Sequence, residues 1–159
     1  MTTPTRAATP PSPLISVDAL AARLDDPALI VVDCRWVLGQ PGAGRAKYDA
    51  GHLPGAVHVD LDTDLADLSI RGAGRHPLPS PAAFAAAMAA AGIGDGTLVV
   101  AYDDVGGWVA ARLWWMLERL GHRDVLVLDG GIGAWTAAGH ALTTVVPKRA
   151  PGDLHLAGA

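Results

Sequence analysis

Apolar residues fall into short unbroken runs separated by helix-length stretches. Residues 29–33 (LIVVD), 98–101 (LVVA) and 125–128 (VLVL) are such runs. Flanked by Gly, Asp or Pro, they predict strands buried on both faces. Residues 57–60 predict a shorter strand. Between the runs the period changes to that of a helix. From Trp108 onward Val109, Leu113, Met116, Leu117 and Leu120 line one side of a long helix ending at Gly121. Ser16 is an N-cap for a helix over 17–24, where Leu20 and Leu24 share a face. Ser80 and Pro81 open a helix over 82–91 anchored by Phe84 and Met88 and stopped by Gly92. Residues 37–46 form a Gly-rich loop leading to one helical turn at 47–51, and Gly130-Gly131 precedes a short helix at 132–138. The stretch 61–81, polar and punctuated by Gly and Pro, is expected to be a surface excursion with a brief helical turn at 63–68. Strand and helix alternating in this way require an α/β fold, an open parallel sheet with helices on both faces.

Composition narrows the class. A chain of 159 residues, 50% apolar and 18% charged, makes one domain able to bury about two thirds of its unfolded surface. Residues 1–13, rich in Pro and Thr, are expected to be a disordered tail, 17–144 the folded domain, and 145–159 a linker-like C-terminal tail. A net charge of −4 with interspersed signs leaves no basic stripe for nucleic acid and no polybasic membrane anchor. No run reaches the ~20 apolar residues of a membrane span, and the first residues lack the apolar centre of a signal peptide. A single cysteine forms no internal disulfide and fits a reducing compartment. A cytoplasmic location is the expectation, with no cofactor. The six histidines show no zinc-ligand spacing, so no metal site is expected.

The chemistry of such a fold belongs where a buried strand gives way to a helix N-terminus. Here that loop is Asp103, Asp104, Val105, Gly106 and Gly107, followed by Trp108, and it contains no nucleophile. Either aspartate can cap the helix that follows. As a paired-carboxylate site for a metal or for acid–base work, the two lack further ligands nearby in sequence.

Several motifs carry a resemblance. Tyr48-Asp49-Ala50-Gly51-His52-Leu53-Pro54-Gly55-Ala56 is similar to a signature of the rhodanese family. Leu128-Asp129-Gly130-Gly131 through Trp135 to Gly139-His140 resembles its closing motif, and Asp33-Cys34-Arg35 its Asp-x-Arg after the first central strand. Arg75-His76-Pro77-Leu78-Pro79, and Arg112 through Leu117 with Gly121-His122, resemble the N-terminal domain of two-domain thiosulfate and 3-mercaptopyruvate sulfurtransferases. The resemblance implies a rhodanese-like sheet of about five strands. It also implies a reaction in which a loop cysteine takes a sulfane sulfur, holds it as a persulfide and passes it to cyanide or a thiol. In active members the cysteine directly follows the strand; Asp103 holds that place here. A carboxylate forms no persulfide, so the resemblance implies a degenerate loop with no catalytic residue.

Other residues remain open between roles. Cys34, the only thiol, sits at the carboxyl end of a strand beside Arg35, which favours reactivity. Alternation turns it away from Asp33 and Arg35, toward a packed layer. It is no phosphatase nucleophile, since Gln40 stands where the required Arg would be. By resemblance Asp33 and Arg35 pair and His52 is structural, its ring bonded to backbone or to a carboxylate such as Asp33. Trp108, Arg112 and Trp115 recur on one side of the long helix and form a candidate domain interface. Two functional readings follow. In one the chain is the non-catalytic half of a sulfurtransferase, partnered by a catalytic C-terminal rhodanese domain that is missing here or made separately. In the other it is a stand-alone inactive module that binds a protein partner, an anion or its own copy as a homo-oligomer.

Overall fold

A computed structural model describes residues 11–159. The elements in chain order are β1 (Leu14–Ile15), α1 (Val17–Ala21), β2 (Leu29–Asp33), α2 (Ala43–Ala50) and β3 (Val57–His58), then α3 (Pro81–Ala90), β4 (Leu98–Tyr102), α4 (Trp108–Arg119), β5 (Val125–Leu128) and α5 (Gly131–Ala137). Five parallel strands form one sheet in the order β1-β5-β4-β2-β3.

Strand alternation divides the interior into two layers. Ile30, Val32 and Cys34 of the β2 segment, with Val99, Ala101 and Val127, pack under Phe84 and Met88 of α3 and Val109, Leu113 and Leu117 of α4. Leu29, Val31, Val100, Tyr102 and Leu128 face the other way, onto Leu20 of α1, Tyr48 of α2 and Trp135 of α5. Each large apolar side chain so buried contributes about 1.5–3 kcal/mol. The expected open parallel sheet with helices on both faces is therefore present.

Several boundaries differ from the sequence expectation. β1 was not foreseen, since two residues carry no period. It is built by Val127 donating to the Pro13 carbonyl at 2.8 Å and Asp129 to that of Ile15 at 2.9 Å. The expected tail 1–13 lies outside the described residues as far as residue 10; beyond it, 11–13 lead into this edge strand. α2 starts four residues before the predicted turn at 47–51, although Gly44 lies inside it. A Cβ at Gly44 would stand 2.0 Å from the Arg35 carbonyl oxygen, so close packing on β2's exit overrides the glycine's poor helix propensity. β3 stops at His58 because the Asp60 carboxylate accepts from Asp62 and Thr63 and turns the chain. α1 ends at Ala21 in a run of turns. The excursion 61–80 contains no helix and is not wholly superficial: Leu61, Leu65 and Ala66 are buried.

The segment expected to read as a linker, 145–159, lies on the domain. Arg149 donates to the Leu29 carbonyl, Gly152 to that of Ala89 and Ala157 to that of Leu120. Leu156 is buried in the α3/α4 layer. Among the described residues no helix is long and apolar enough to cross a membrane.

Candidate functional site

The carboxyl end of β4 delivers Asp103 into the start of α4. Its side chain is 1% exposed and accepts four backbone N–H groups. Oδ1 takes those of Val105 at 3.0 Å and Gly107 at 2.8 Å; Oδ2 takes those of Val109 and Ala110, both at 3.0 Å. Gly106 and Gly107 make this wrap possible, with φ of 80° and 90°, a region closed to most side chains. The buried charge is thus compensated by N–H groups and by the positive end of α4. Of the two aspartates it is Asp103 that caps the helix, from outside the usual capping position. Asp104 instead pairs with Lys47 across the mouth of the loop.

A second loop closes on the first. Ile132 donates to the Asp103 carbonyl at 3.1 Å, and a Cβ at Gly131 would come within 2.3 Å of that oxygen. Beside the two loops lies a cleft of about 670 Å³ whose polar side chains are Asp103, Asp104 and Asp129, with Leu14, Trp114 and Val127 among its apolar walls. Among the described residues no Lys, Arg or His lines it.

Beneath the loop, Arg35 grips Asp33 through Nε at 2.9 Å and Nη2 at 2.6 Å, and donates onward to the Gly51 carbonyl at 2.6 Å. Tyr102 donates its hydroxyl to Asp33 at 2.7 Å. Burial first, and then the Asp33 charge, push the Tyr102 phenol well above its ordinary range. Asp33 and Arg35 pair, and of the two partners expected for the His52 ring the structure has the backbone. Its buried ring faces the backbone carbonyls of Tyr48 and Val145, and Asp33 is not its partner.

Cys34, raised above as a thiol that could react, lies sealed in the α3/α4 layer. Burial pushes the thiol well up, reinforced by the charges of Asp33, Asp103 and Asp64, so the reactive thiolate is suppressed. The reason is the alternation of β2: the residue between Asp33 and Arg35 must point to the opposite layer.

The candidate interface divides. Trp108 and Trp115 are 50% and 41% exposed. Arg112 is instead committed, donating to the carbonyls of Leu65 and His76 and thereby pinning the 61–80 excursion to α4. Trp108 meets Trp36 edge-on with centroids 5.8 Å apart, and Trp36 meets His76 at 5.1 Å. Trp36 also donates to Asp62 at 2.9 Å, and His76 lies 3.3 Å from the same carboxylate. This aromatic wall beside the loop was not assembled from sequence, since its members come from three separated segments. The position of Trp36 three residues past a central strand was the one available signal. Among the described residues no group of three or more His, Cys, Asp or Glu is placed to hold a metal ion.

Comparison with known proteins agrees with this architecture. Residues 16–138 match the family model of the rhodanese-like domain. The chain is 48% identical over 142 residues to a Pseudomonas aeruginosa protein named "Probable 3-mercaptopyruvate sulfurtransferase", covering 88% of this chain and 50% of that one. It superposes on the 3-mercaptopyruvate sulfurtransferase of Leishmania major with a TM-score of 0.82 at 32% identity, covering 96% of this chain and 42% of the other. The corresponding structure from Escherichia coli gives 0.81 at 31%, covering 93% and 55%. The chain spans about half the length of the curated relatives it matches.

Proposed function

The chain belongs to the rhodanese family, and we propose that within the sulfur-transfer chemistry of that family it is the non-catalytic half. In this reading it supplies scaffold and one wall of the active-site cleft to a catalytic rhodanese domain carrying a loop cysteine. That thiolate attacks the outer sulfur of thiosulfate, breaking the S–S bond and releasing sulfite, or the thiol sulfur of 3-mercaptopyruvate, breaking the C–S bond with the electron pair leaving on pyruvate as its enolate, which takes up a proton. The resulting persulfide passes its outer sulfur to cyanide or a thiol.

The observation that carries the proposal is that the Asp103 carboxylate gathers four N–H groups at the start of α4, groups a thiolate or persulfide would need; the motif resemblance puts the family's loop cysteine at this position. A carboxylate has no sulfur to exchange. Exposed Trp108, continuous with Trp36 and His76, is the surface assigned to the partner domain. The relatives' length, about twice the matched region, favours such a partner. A reducing, cytoplasmic setting suits the single buried thiol. The other reading, a stand-alone anion-binding module, is disfavoured because the N–H groups at the start of α4 are already taken by the chain's own Asp103 carboxylate.

The test mixes this chain with the half of the P. aeruginosa relative that it does not match, the half this reading makes catalytic, and follows thiocyanate formation from thiosulfate and cyanide. The chain alone should match its Cys34→Ser variant at background. The mixture should exceed the catalytic half alone, and Trp108→Ala should reduce that gain. Self-association through the Trp108 face with no gain on mixing would favour a homo-oligomeric module and overturn the proposal.

A further inference from the structure

Neither the fold nor the proposed function accounts for the surface around Trp115. This residue stands 41% exposed on the outer side of α4, at the edge of a groove of about 190 Å³. Phe84 and Met116 line the groove from within, and Leu78, Pro79 and Pro81 from the run that leads into α3. Leu78 is 44% exposed, and Leu68, in a second hollow on the far side of Pro79, is 47% exposed. Large apolar side chains exposed side by side in this way mark an interaction site.

The two ends of this patch carry opposite charge. At one end Arg119 lies over the Trp115 ring, 5.5 Å from its centroid, which holds the guanidinium at the lip of the groove. At the other, the hollow beyond Pro79 is lined by Asp64 and Asp67. The helix sets the separation. Arg112 donates to the Leu65 carbonyl, and at about 1.5 Å per residue Arg119 lies about 10 Å further along α4. Among the described residues Arg119 pairs with no carboxylate, and neither Asp64 nor Asp67 pairs with a Lys or Arg. Asp64 Oδ2 accepts from the Asp60 N–H and Asp67 Oδ1 from Ser69, so each carboxylate keeps its other oxygen for a new donor.

A surface with a basic end, an apolar middle and an acidic end is complementary to itself. A two-fold axis through the middle reverses the order of the ends, so that each basic end lies on an acidic one and the two apolar middles meet. The C-terminal run borders the groove without filling it: Ala157 donates to the Leu120 carbonyl, and a Cβ on Gly158 would stand 3.7 Å from Pro81.

We propose that this groove joins two copies of the chain about a two-fold axis, with Trp115 packed at the centre and Arg119 of each copy meeting Asp64 and Asp67 of the other. The contact goes beyond the proposed function and does not depend on it. Trp108 lies on the same helix seven residues earlier, with Arg112 and the segment it pins between them, so the wall assigned to a catalytic half stays open in the dimer.

The test is analytical ultracentrifugation of the whole chain from about 1 µM to about 300 µM, the span in which a modest interface assembles. Wild type should pass from monomer to dimer within it. Trp115→Ala should weaken association about tenfold or more. Arg119→Glu, a change at an exposed side chain that makes no hydrogen bond or ion pair among the described residues, should do the same by setting like charges against each other. Asp67→Arg should also weaken it, and Arg119→Glu with Asp67→Arg in one chain should bring the dissociation constant back to within about threefold of wild type, a recovery that a misfolded loop would not give. Trp108→Ala should leave the dimer intact. A chain that stays monomeric throughout, a dimer indifferent to Arg119→Glu, a double variant that does not recover, or a dimer dissolved by Trp108→Ala would each overturn the proposal. So would a monomeric chain whose gain on mixing with the unmatched half of the P. aeruginosa relative is lost in Arg119→Glu, since the groove would then belong to that half. Failure of the mixing experiment itself leaves the dimer untouched.

Discussion

Removing the Asp103 carboxylate should destabilise the domain far more than any other change in its loop. Asp103→Ala leaves four N–H donors without their acceptor. Those of Val105 and Gly107 lie in a partly open loop where water can replace it. Those of Val109 and Ala110 are buried. Two buried orphan donors at about 1–3 kcal/mol each give a loss of about 2–6 kcal/mol. For a domain of this size that lowers Tm by about 2–4 °C for each kcal/mol. Asp103→Asn keeps one acceptor oxygen and should lose about half as much. Asp104→Ala breaks only the partly exposed pair with Lys47 and should cost less than about 1 kcal/mol. Urea unfolding of the four proteins at neutral pH, with linear extrapolation, reads these differences. Added formate should partly restore Asp103→Ala, because an anion bound to the vacated cradle stabilises only the folded state. A loss under about 1 kcal/mol for Asp103→Ala, or one no larger than that of Asp104→Ala, would refute the claim that this carboxylate organises the loop.

Three further outcomes are expected. Cys34 should resist thiol reagents in the native protein and react only on unfolding, because burial pushes its thiol up; prompt native-state labelling would contradict the packing described. Leu156→Ala should cost about 2–5 kcal/mol despite lying three residues from the C-terminus, as seen by thermal unfolding; a neutral effect would mean that the 145–159 segment is not part of the folding unit. His58 is held below the ordinary imidazole value, chiefly by burial. The unfolded chain therefore takes up its proton first, and the His58 contribution, present above about pH 6.5, is lost as pH falls through the folded value. A His58→Gln variant should show a flatter stability profile across that window.

Much of this architecture was legible in the sequence because its signals are local. Three central strands announced themselves as apolar runs, α3 by Ser80 and Pro81, and α4 by its apolar stripe. Alternation along β2 already assigned Asp33 and Arg35 to one layer and Cys34 to the other. What escaped depends on contacts between distant segments. β1 exists only because β5 offers it an edge, and α2 begins early only because Gly44 fits against Arg35. The 145–159 run, without periodicity, is held by scattered backbone and side-chain hydrogen bonds and by Leu156, with Leu154 beside it, rather than by a patterned face. At the site, the sequence identified the acid in the loop but not that Asp103 alone gathers four N–H groups while Asp104 turns to Lys47. Nor did it indicate that Arg112, spaced like an interface residue, is spent on holding the 61–80 excursion, or that His52 reaches a carbonyl 93 residues away.

The central claim is that the loop retains a cradle for an anionic sulfur and lacks only the sulfur. The most direct measurement is the intact mass of wild type and of Asp103→Cys after incubation with thiosulfate and removal of excess donor. The account predicts one added sulfur on the variant, removed by cyanide, and none on wild type. A wild-type chain that gains sulfur, or a folded variant that gains none, would contradict it.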